Sequence, residues 1–233
     1  MALADDLRTL RSRTIADLHA AHDYFTDTKL AWDIVQRAVE SGGALSVQNK
    51  ATGTVTTGAD LVARAPGYIA RHLTEATFQQ FISIFESFFF DLLRLWLMAY
   101  PQSLIGKKVD FKVVLEAPDK DAIAMTVIDR ELNDIMYERP AGWFAYLEDR
   151  MKIGCPTADT IERFAEAKAS RDVLIHNRGI ASKIYESKAG RRIRFKDGQR
   201  IDVSEPYHRD VWELLGKVVA EIADAAISKV TPP

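Results

Sequence analysis

The sequence contains only one cysteine, Cys155, among 233 residues, so no disulfide can form within the chain. This is expected of a protein in a reducing compartment and predicts a cytoplasmic location. The stretch "GCPT" around Cys155 holds no lysine, arginine or histidine that would lower the pKa of the thiol. We therefore do not expect Cys155 to act as a nucleophile.

An excess of charge of one sign is also missing, because 31 Lys and Arg residues nearly balance 33 Asp and Glu residues. A nucleic-acid ligand would therefore need a local basic patch. The most apolar run, "FISIFESFFFDLLRLWLMAY", is interrupted by Glu86, Asp91 and Arg94, which predicts a core helix and not a membrane span. The stretch "MALADDLRTLRSRT" has early acids and no apolar segment, so we expect neither a signal peptide nor a membrane partner.

Apolar residues recur with helical periodicity along most of the chain, which predicts an all-α fold. We expect helices over residues 3–41, 68–99, 119–138, 141–152, from Thr157 to Asn177 or Arg178, and 206–229. The stretch Thr26–Thr28 is a possible break in the first of these. We expect one domain, 1–233, with an N-terminal helical extension (1–41), a long Gly/Thr-rich loop (42–66) and a helical core (67–233).

Three segments lack this periodicity. Residues 42–66 are rich in Gly and Thr and have few large apolar residues, which favours a long loop, with a short hairpin as one option. The alternation in "VDFKVVLEA" (109–117) predicts a strand or an extended arm. Two short alternating runs flank Asp197-Gly198, a pair typical of tight turns, so we expect a small β-hairpin before the last helix.

The stretch "ASRDVLIHNRG", residues 169–179, places many polar residues where a helix is expected to end. A structural interpretation explains them as a helix terminus. His176 and Arg178 in or after the last turn would complement the helix dipole, and Gly179 would follow the end as glycines often do. Asn177 would then cap the helix, with substrate positioning as its alternative role.

The same stretch also has the geometry of a catalytic site. Asp172 and His176 are one turn apart on one face, so Asp172 could accept a hydrogen bond from the imidazole and fix its tautomer. Arg171 lies roughly 140° away around the helix, so it does not share a face with His176, although a long arginine could reach part-way; two copies of the helix meeting across a dimer could also bring arginine and histidine together. A neutral histidine as base and an arginine as phosphate clamp suit phosphodiester chemistry.

The stretch "RDVLIHN" resembles the Arg-x4-His motif of HEPN domains (higher eukaryotes and prokaryotes nucleotide-binding), and "SRDVLIHNRGI" is similar to the form seen in many bacterial members. The upstream "FQQFISIFESFFFDLL" resembles the long acidic-aromatic core helix of that family. The resemblance covers residues 68–229. It implies a HEPN-like helical bundle that pairs as a homodimer.

Active HEPN proteins are metal-independent endoribonucleases, often toxins or antiviral effectors. The resemblance implies that Arg171 and His176 are the catalytic pair and that Asp172 supports them. The ribose 2′-hydroxyl would attack its own phosphate and leave a 2′,3′-cyclic end. One toxin subgroup has a tyrosine two residues after the histidine. This sequence has Arg178 at that position, so the chemistry of that subgroup and its modification by a partner do not carry over. We expect no metal and no cofactor.

Further residues would support the candidate catalytic pair. Glu86 is expected either to orient Arg171 or to pair with another cation, because a carboxylate in an apolar helix needs a partner. A basic segment follows the motif and either guides RNA toward His176 or forms a solvated hairpin. The candidate RNA-binding residues are Arg178, Lys183, Lys188, Arg191, Arg192 and Arg194.

Three functions remain open at this level. The first is the endoribonuclease, with RNA as partner and an antitoxin or other regulatory protein as a further possible partner. The second is a non-catalytic HEPN-like module that binds RNA, nucleotide or protein. The third is a purely structural helical protein in which "HNRG" is only a helix cap.

Overall fold

The computed structural model describes residues 2–230, and most of this range is helical. In chain order the elements are α1 (Ala2–Glu40), β1 (Ser46–Gln48), β2 (Val55–Thr57), α2 (Gly58–Gly67), α3 (Thr74–Ala99), α4 (Phe111–Glu116), α5 (Lys120–Met136), α6 (Pro140–Met151), α7 (Ala158–His176), α8 (Lys183–Ala189) and α9 (Glu205–Val230). The predicted all-α fold with a small β-hairpin is confirmed, although the hairpin lies elsewhere in the chain.

Helix α1 is a core element over its N-terminal part. Its buried residues recur every three or four positions from Ala4 to Phe25, which places them on one face. That face packs against α3 and α9. The possible break at Thr26–Thr28 does not occur, because the Thr26 hydroxyl donates to the Asp23 carbonyl (3.0 Å) inside a continuous helix. The part beyond residue 26 has no buried residue and contacts α2.

The segment 42–66, predicted as a long loop with a short hairpin as one option, contains that hairpin and also a helix. Strands β1 and β2 pair antiparallel, with Val47 opposite Thr56. Helix α2 then begins with a capping box, in which the Thr57 hydroxyl accepts from the Asp60 amide and the Asp60 carboxylate accepts from the Thr57 amide. The prediction of a loop up to residue 66 was wrong, because the Thr57–Asp60 pair starts a helix among residues that are otherwise typical of loops.

Helix α3 is the centre of the fold. A π-helical turn, Tyr68–Leu73, joins it directly to α2, so the helical path runs back from the predicted start at residue 68 to Gly58. Its phenylalanines Phe78, Phe81, Phe85, Phe88 and Phe89 are almost completely buried. The Phe85 ring lies 4.6 Å from the ring of Phe164 in α7, centroid to centroid. This contact fixes α7 against the core beside Glu86.

Residues 109–117 form a helix and not the predicted strand or arm. The Asp110 side chain accepts from the Lys112 amide (2.9 Å) and starts α4, a six-residue helix. Phe111, Val114 and Leu115 have the i, i+3, i+4 spacing of a helix as well as the composition of a strand, and all three are exposed. The Asp110 cap favours the helical conformation over the extended one.

The predicted hairpin before the last helix was also wrong. The Asp197-Gly198 turn forms, with Gly198 at φ 82°, but its flanks do not pair with each other. Residues 199 and 201 instead bond to 181 and 179, with Ala181 N to Gln199 O and Ile201 N to Gly179 O both 2.8 Å. Helix α8 lies between these two paired stretches along the chain. The segment therefore folds back on the residues that follow α7.

A buried histidine joins α9 to the other core helices. His208 is fully buried, and its Nε2 lies 2.7 Å from the Thr77 hydroxyl of α3. Its ring packs 4.3 Å from the ring of Phe25 in α1. Burial lowers the pKa of His208 to about 4; His22 and Lys29 act in the same direction, and Glu205 opposes them. The imidazole is therefore neutral in the folded protein at pH 7.

This pKa predicts a loss of stability in mild acid. The unfolded chain binds a proton at His208 below about pH 6.5, whereas the folded chain does not until about pH 4, so acid favours unfolding in between. This lowers the free energy of unfolding by about 1.5 kcal/mol on going from pH 6.5 to pH 5, because the slope rises from about half of 1.4 kcal/mol per pH unit toward the full value over this range. Urea unfolding of the wild type and of His208→Gln at both pH values measures it, since the variant should lose this slope. Equal slopes would contradict the assignment.

Candidate functional site

The C-terminal turn of α7 presents the polar stretch singled out in the sequence. The helix begins at Ala158, where the Thr157 hydroxyl accepts from the Thr160 amide, and runs unbroken to His176. Asn177 closes it. The Asn177 amide bonds to Val173 O (2.9 Å), and its side chain donates to the Ile180 carbonyl. The predicted capping role of Asn177 is confirmed.

The residue after the cap is Arg178, which adopts a left-handed conformation with φ 53°. Such a backbone costs a non-glycine residue about 1 kcal/mol. Replacing Arg178 by glycine is therefore expected to raise the free energy of unfolding by about 0.5–1 kcal/mol. Chemical denaturation measures this change, with Arg178→Ala as the control that removes the same charge and keeps the strain. An equal gain in both variants would contradict the backbone explanation.

Arg171 is held by two carboxylates. Its side chain is 12% exposed, one terminal nitrogen contacts Glu86 of α3, and the other lies 3.4 Å from Asp172. The Nε atom is buried and has no hydrogen-bond partner among the described residues. Of the two roles predicted for Glu86, orientation of Arg171 is thus confirmed, and the pairing with another cation is confirmed as well.

That other cation is Lys168, which sequence reasoning missed. Its Nζ lies 2.6 Å from Glu86 Oε1, 3.8 Å from Asp172 and 5.1 Å from the centroid of the Trp143 ring. The sequence does show that Lys168 precedes Asp172 by one helical turn, a spacing at which the two side chains can pair. Its partners in α3 and α6 could not be placed from the sequence.

The predicted hydrogen bond between Asp172 and His176 is not present. Asp172 instead accepts from Lys188 of α8 (3.0 Å) and faces Lys168 and Arg171. Three cations surround this carboxylate, and they attract it more strongly than a neutral imidazole does. His176 is exposed, and within residues 2–230 it makes no hydrogen bond or ion pair. Its ring nitrogens are therefore open to a ligand.

Arg171 and His176 nevertheless border one cavity, here called the His176 groove. It has a volume of about 330 Å³, and Lys168, Asp172 and Lys188 also line it. A second cavity of about 500 Å³, the α3 groove, lies beside it and is lined by Ser83, Glu86, Ser87, Phe90, Asp91 and Trp143. Both grooves are also lined by Met136, Lys168 and Arg171. The two cations thus lie between two concave surfaces.

The candidate RNA-binding residues divide into two groups. Arg178 and Lys183 are exposed and Lys188 lines the His176 groove, so all three face solvent or the site. Arg191 and Arg192 instead pair with Glu162 and Asp159 of α7. Arg194 lies 3.4 Å from the centroid of the Tyr207 ring and donates to Asp202 O (3.1 Å). These three arginines anchor the segment to the helices, and RNA contact by them stays a prediction.

A buried carboxylate on the other side of α7 was not foreseen. Glu166 is 3% exposed and accepts hydrogen bonds from Ser170 (2.7 Å), Tyr185 (2.9 Å) and Tyr207. Burial raises the pKa of Tyr185 to about 12 and raises that of Tyr207 strongly, and the charge of Glu166 acts in the same direction. Both hydroxyls therefore stay protonated and donate. This network joins α7, α8 and α9 behind the candidate site.

Cys155 fits the expectation that it is not a nucleophile. Burial raises the pKa of its thiol to about 11, and Glu221 and Glu148 act in the same direction. The thiol is therefore protonated at neutral pH, and the thiolate that would react is scarce.

Comparison with known proteins gives no match to a family model, to a curated protein or to a solved structure. Within residues 2–230, no helix has the length and apolar character needed to span a bilayer.

The charges of the site suit an anionic ligand. Lys168, Arg171 and Lys188 are opposed by Glu86 and Asp172, which leaves one excess positive charge next to an unpaired imidazole. The carboxylates hold the cations in place, so a phosphate would meet donors that are already positioned. His176 supplies an imidazole, whose ring nitrogens can accept or donate a hydrogen bond to a ligand.

Proposed function

We propose that this protein is a metal-independent endoribonuclease of HEPN type. The observation that carries the proposal is that Arg171 and His176, separated around the helix, border one groove together with Lys168 and Lys188. Cations for a phosphate and a free imidazole for proton transfer are the two requirements of RNA cleavage by the 2′-hydroxyl.

In the proposed reaction, His176 accepts the proton of the ribose 2′-hydroxyl. The 2′-oxygen bonds to the adjacent phosphorus, and the bond from phosphorus to the 5′-oxygen breaks. The leaving 5′-oxygen takes a proton from water, His176 returns its proton to the solvent, and a 2′,3′-cyclic phosphate remains. Arg171, Lys168 and Lys188 stabilise the negative charge that develops on the phosphate oxygens. DNA lacks the attacking hydroxyl and is bound but not cut.

We further propose that the working form is a homodimer in the cytoplasm. His176 is exposed at the end of α7, so a second copy of the groove can approach it without unfolding either chain. A toxin or antiviral role, and control by an antitoxin or another regulatory protein, belong to the same proposal and follow from the resemblance.

A non-catalytic HEPN-like module that binds RNA, nucleotide or protein is the second candidate. It is favoured by the contacts of Arg171, because both terminal nitrogens already face carboxylates. In this case the arginine would only join α7 to α3, and the groove would bind a ligand without cutting it.

The test is incubation of the purified protein with a mixed RNA pool and a matched DNA pool in EDTA, beside His176→Ala, followed by mapping of the product ends. The proposal expects RNA cleavage by the wild type alone, with 2′,3′-cyclic ends and intact DNA. Products with 3′-hydroxyl ends, or equal cleavage by the variant, would contradict it. RNA binding without cleavage would favour the second candidate.

A further inference from the structure

Helix α1 extends well beyond the core that its N-terminal part helps to form. Its last buried residue is Phe25, yet the helix runs on to Glu40. One face of this second half lies against α2, where Val39 packs on Gly58. The opposite face is exposed and is here called the α1 outer face. Its residues are Asp27, Leu30, Ala31, Ile34 and Arg37.

Large apolar side chains on the α1 outer face are in contact with water. Leu30 is 58% exposed and Ile34 is 60% exposed, and Tyr24, at the edge of the face, is also 60% exposed. Single exposed apolar residues are normal, but Leu30 and Ile34 are one turn apart and adjoin each other on one helix. Removal of such a surface from water is favourable, so a partner that covers it is stabilised.

The residues of this face have the spacing of a coiled-coil seam. Asp27, Leu30, Ile34 and Arg37 follow one another at intervals of three, four and three residues, the repeat that keeps one helix facing another. The apolar pair lies in the middle, with an acid before it and a base after it. Within residues 2–230, neither Asp27 nor Arg37 makes an ion pair. Both charges are therefore free to pair with a partner.

We propose that the α1 outer face binds a second copy of this chain, with the two helices antiparallel. In a two-fold contact, residue i faces residue j while j faces i. Leu30 then packs on Ile34 of the second copy, and Asp27 pairs with Arg37 of the second copy. A parallel pair would place Asp27 against Asp27 and Arg37 against Arg37, which like charges disfavour. The face is thus complementary to itself, and it needs neither RNA nor the His176 groove.

This contact is weak and reversible. It uses one side of about three helical turns. Interfaces that bury less than about 1,200 Å² are typical of transient complexes. Asp33 lies beside the α1 outer face near the symmetry axis, where it meets its own copy, and this repulsion lowers the affinity further. The pair should therefore form and dissociate as the protein concentration changes.

Disulfide trapping in the full chain tests the antiparallel geometry. Cys155→Ser removes the native thiol, and Leu30→Cys and Ile34→Cys are then introduced into separate proteins. The cross-link should form faster in the mixture than in either protein alone, because only residues 30 and 34 of opposite copies bring their Cα atoms within about 7 Å. A parallel pair would instead cross-link each protein with itself.

Charge reversal then tests the complementarity. Asp27→Arg or Arg37→Asp, placed in both cross-linking proteins, turns two opposite-charge pairs into two like-charge pairs and should slow the mixed cross-link about tenfold. The two changes together restore the pairs and should restore the rate. Asp17→Arg is the matched control, because Asp17 is exposed on the same helix outside this face. It should cross-link like its parent.

Three results would overturn the proposal. They are equal cross-linking in the mixture and in the separate proteins, a rate that charge reversal leaves unchanged, and a double variant as slow as the single ones. Each reversal changes an exposed residue, so the fold should be retained, and circular dichroism of every variant checks this. A mixed cross-link in a protein that cleaves no RNA would keep this contact and remove the enzyme.

Discussion

Replacing Arg171 by alanine is expected to lower the rate of RNA cleavage about 100- to 1,000-fold, the range found when a positioned donor to a developing oxyanion is removed. The fold should survive, because Glu86 keeps Lys168 as a partner at 2.6 Å and Asp172 keeps Lys188 at 3.0 Å. Single-turnover cleavage of a defined RNA, at saturating protein, measures the rate of the chemical step. Thermal unfolding of the same sample shows whether the fold is intact.

Two further variants test whether the expected loss is specific to the guanidinium of Arg171. Arg171→Lys keeps the charge and loses the planar fork of donors, so it should recover only part of the rate. Arg163→Ala removes an exposed arginine from the same helix outside both grooves and should cleave like the wild type. Full activity in Arg171→Ala would show that this arginine only joins α7 to α3.

Replacing Glu166 by alanine is expected to lower the free energy of unfolding by about 3–5 kcal/mol, because three hydroxyls inside the protein lose their acceptor at about 1–3 kcal/mol for each buried group. Ser170, Tyr185 and Tyr207 would each lose an acceptor, and buried hydroxyls without partners cost free energy. The effect should exceed the loss of a surface ion pair, which contributes about 0–1 kcal/mol. Urea unfolding followed by circular dichroism measures it.

The control for Glu166 is Glu162→Ala on the same helix. Glu162 pairs with exposed Arg191, so its removal should change the free energy of unfolding by less than about 1 kcal/mol. Glu166→Gln keeps an acceptor oxygen and should fall between the two. If Glu166→Ala and Glu162→Ala were equally stable, the network would not hold α7, α8 and α9 together.

The long helices could be predicted because their apolar spacing alone determines which face is buried. The short elements could not be predicted, because a few residues fit more than one structure. The residues of α4 have spacing compatible with either structure, and a single cap at Asp110 decided the outcome. The pair Asp197-Gly198 does form a turn, yet its flanks pair with residues 179 and 181. A local pattern indicates that a turn exists but not which distant segment its flanks will meet.

Part of the candidate site was predicted from the sequence, namely the position of Arg171 and His176 and the pairing of Glu86 with Arg171. Arg171 and His176 come from one short stretch, so their placement at the end of α7 followed from the sequence. The partner of Asp172 was predicted wrongly, because Lys188 arrives from α8 after a change of direction at Arg178. Lys168 and Glu166 gained their roles from helices far away in the sequence, which periodicity does not reveal.

The contact between Arg171 and Glu86 joins residues 85 positions apart. A growing chain on the ribosome therefore completes α3 long before the arginine is made, and Glu86 then has neither of its cations. The grooves around Lys168 and Arg171 cannot exist until α7 has left the exit tunnel and docked on α3. The site that carries the proposed function is therefore absent during most of synthesis and forms only near the end of translation.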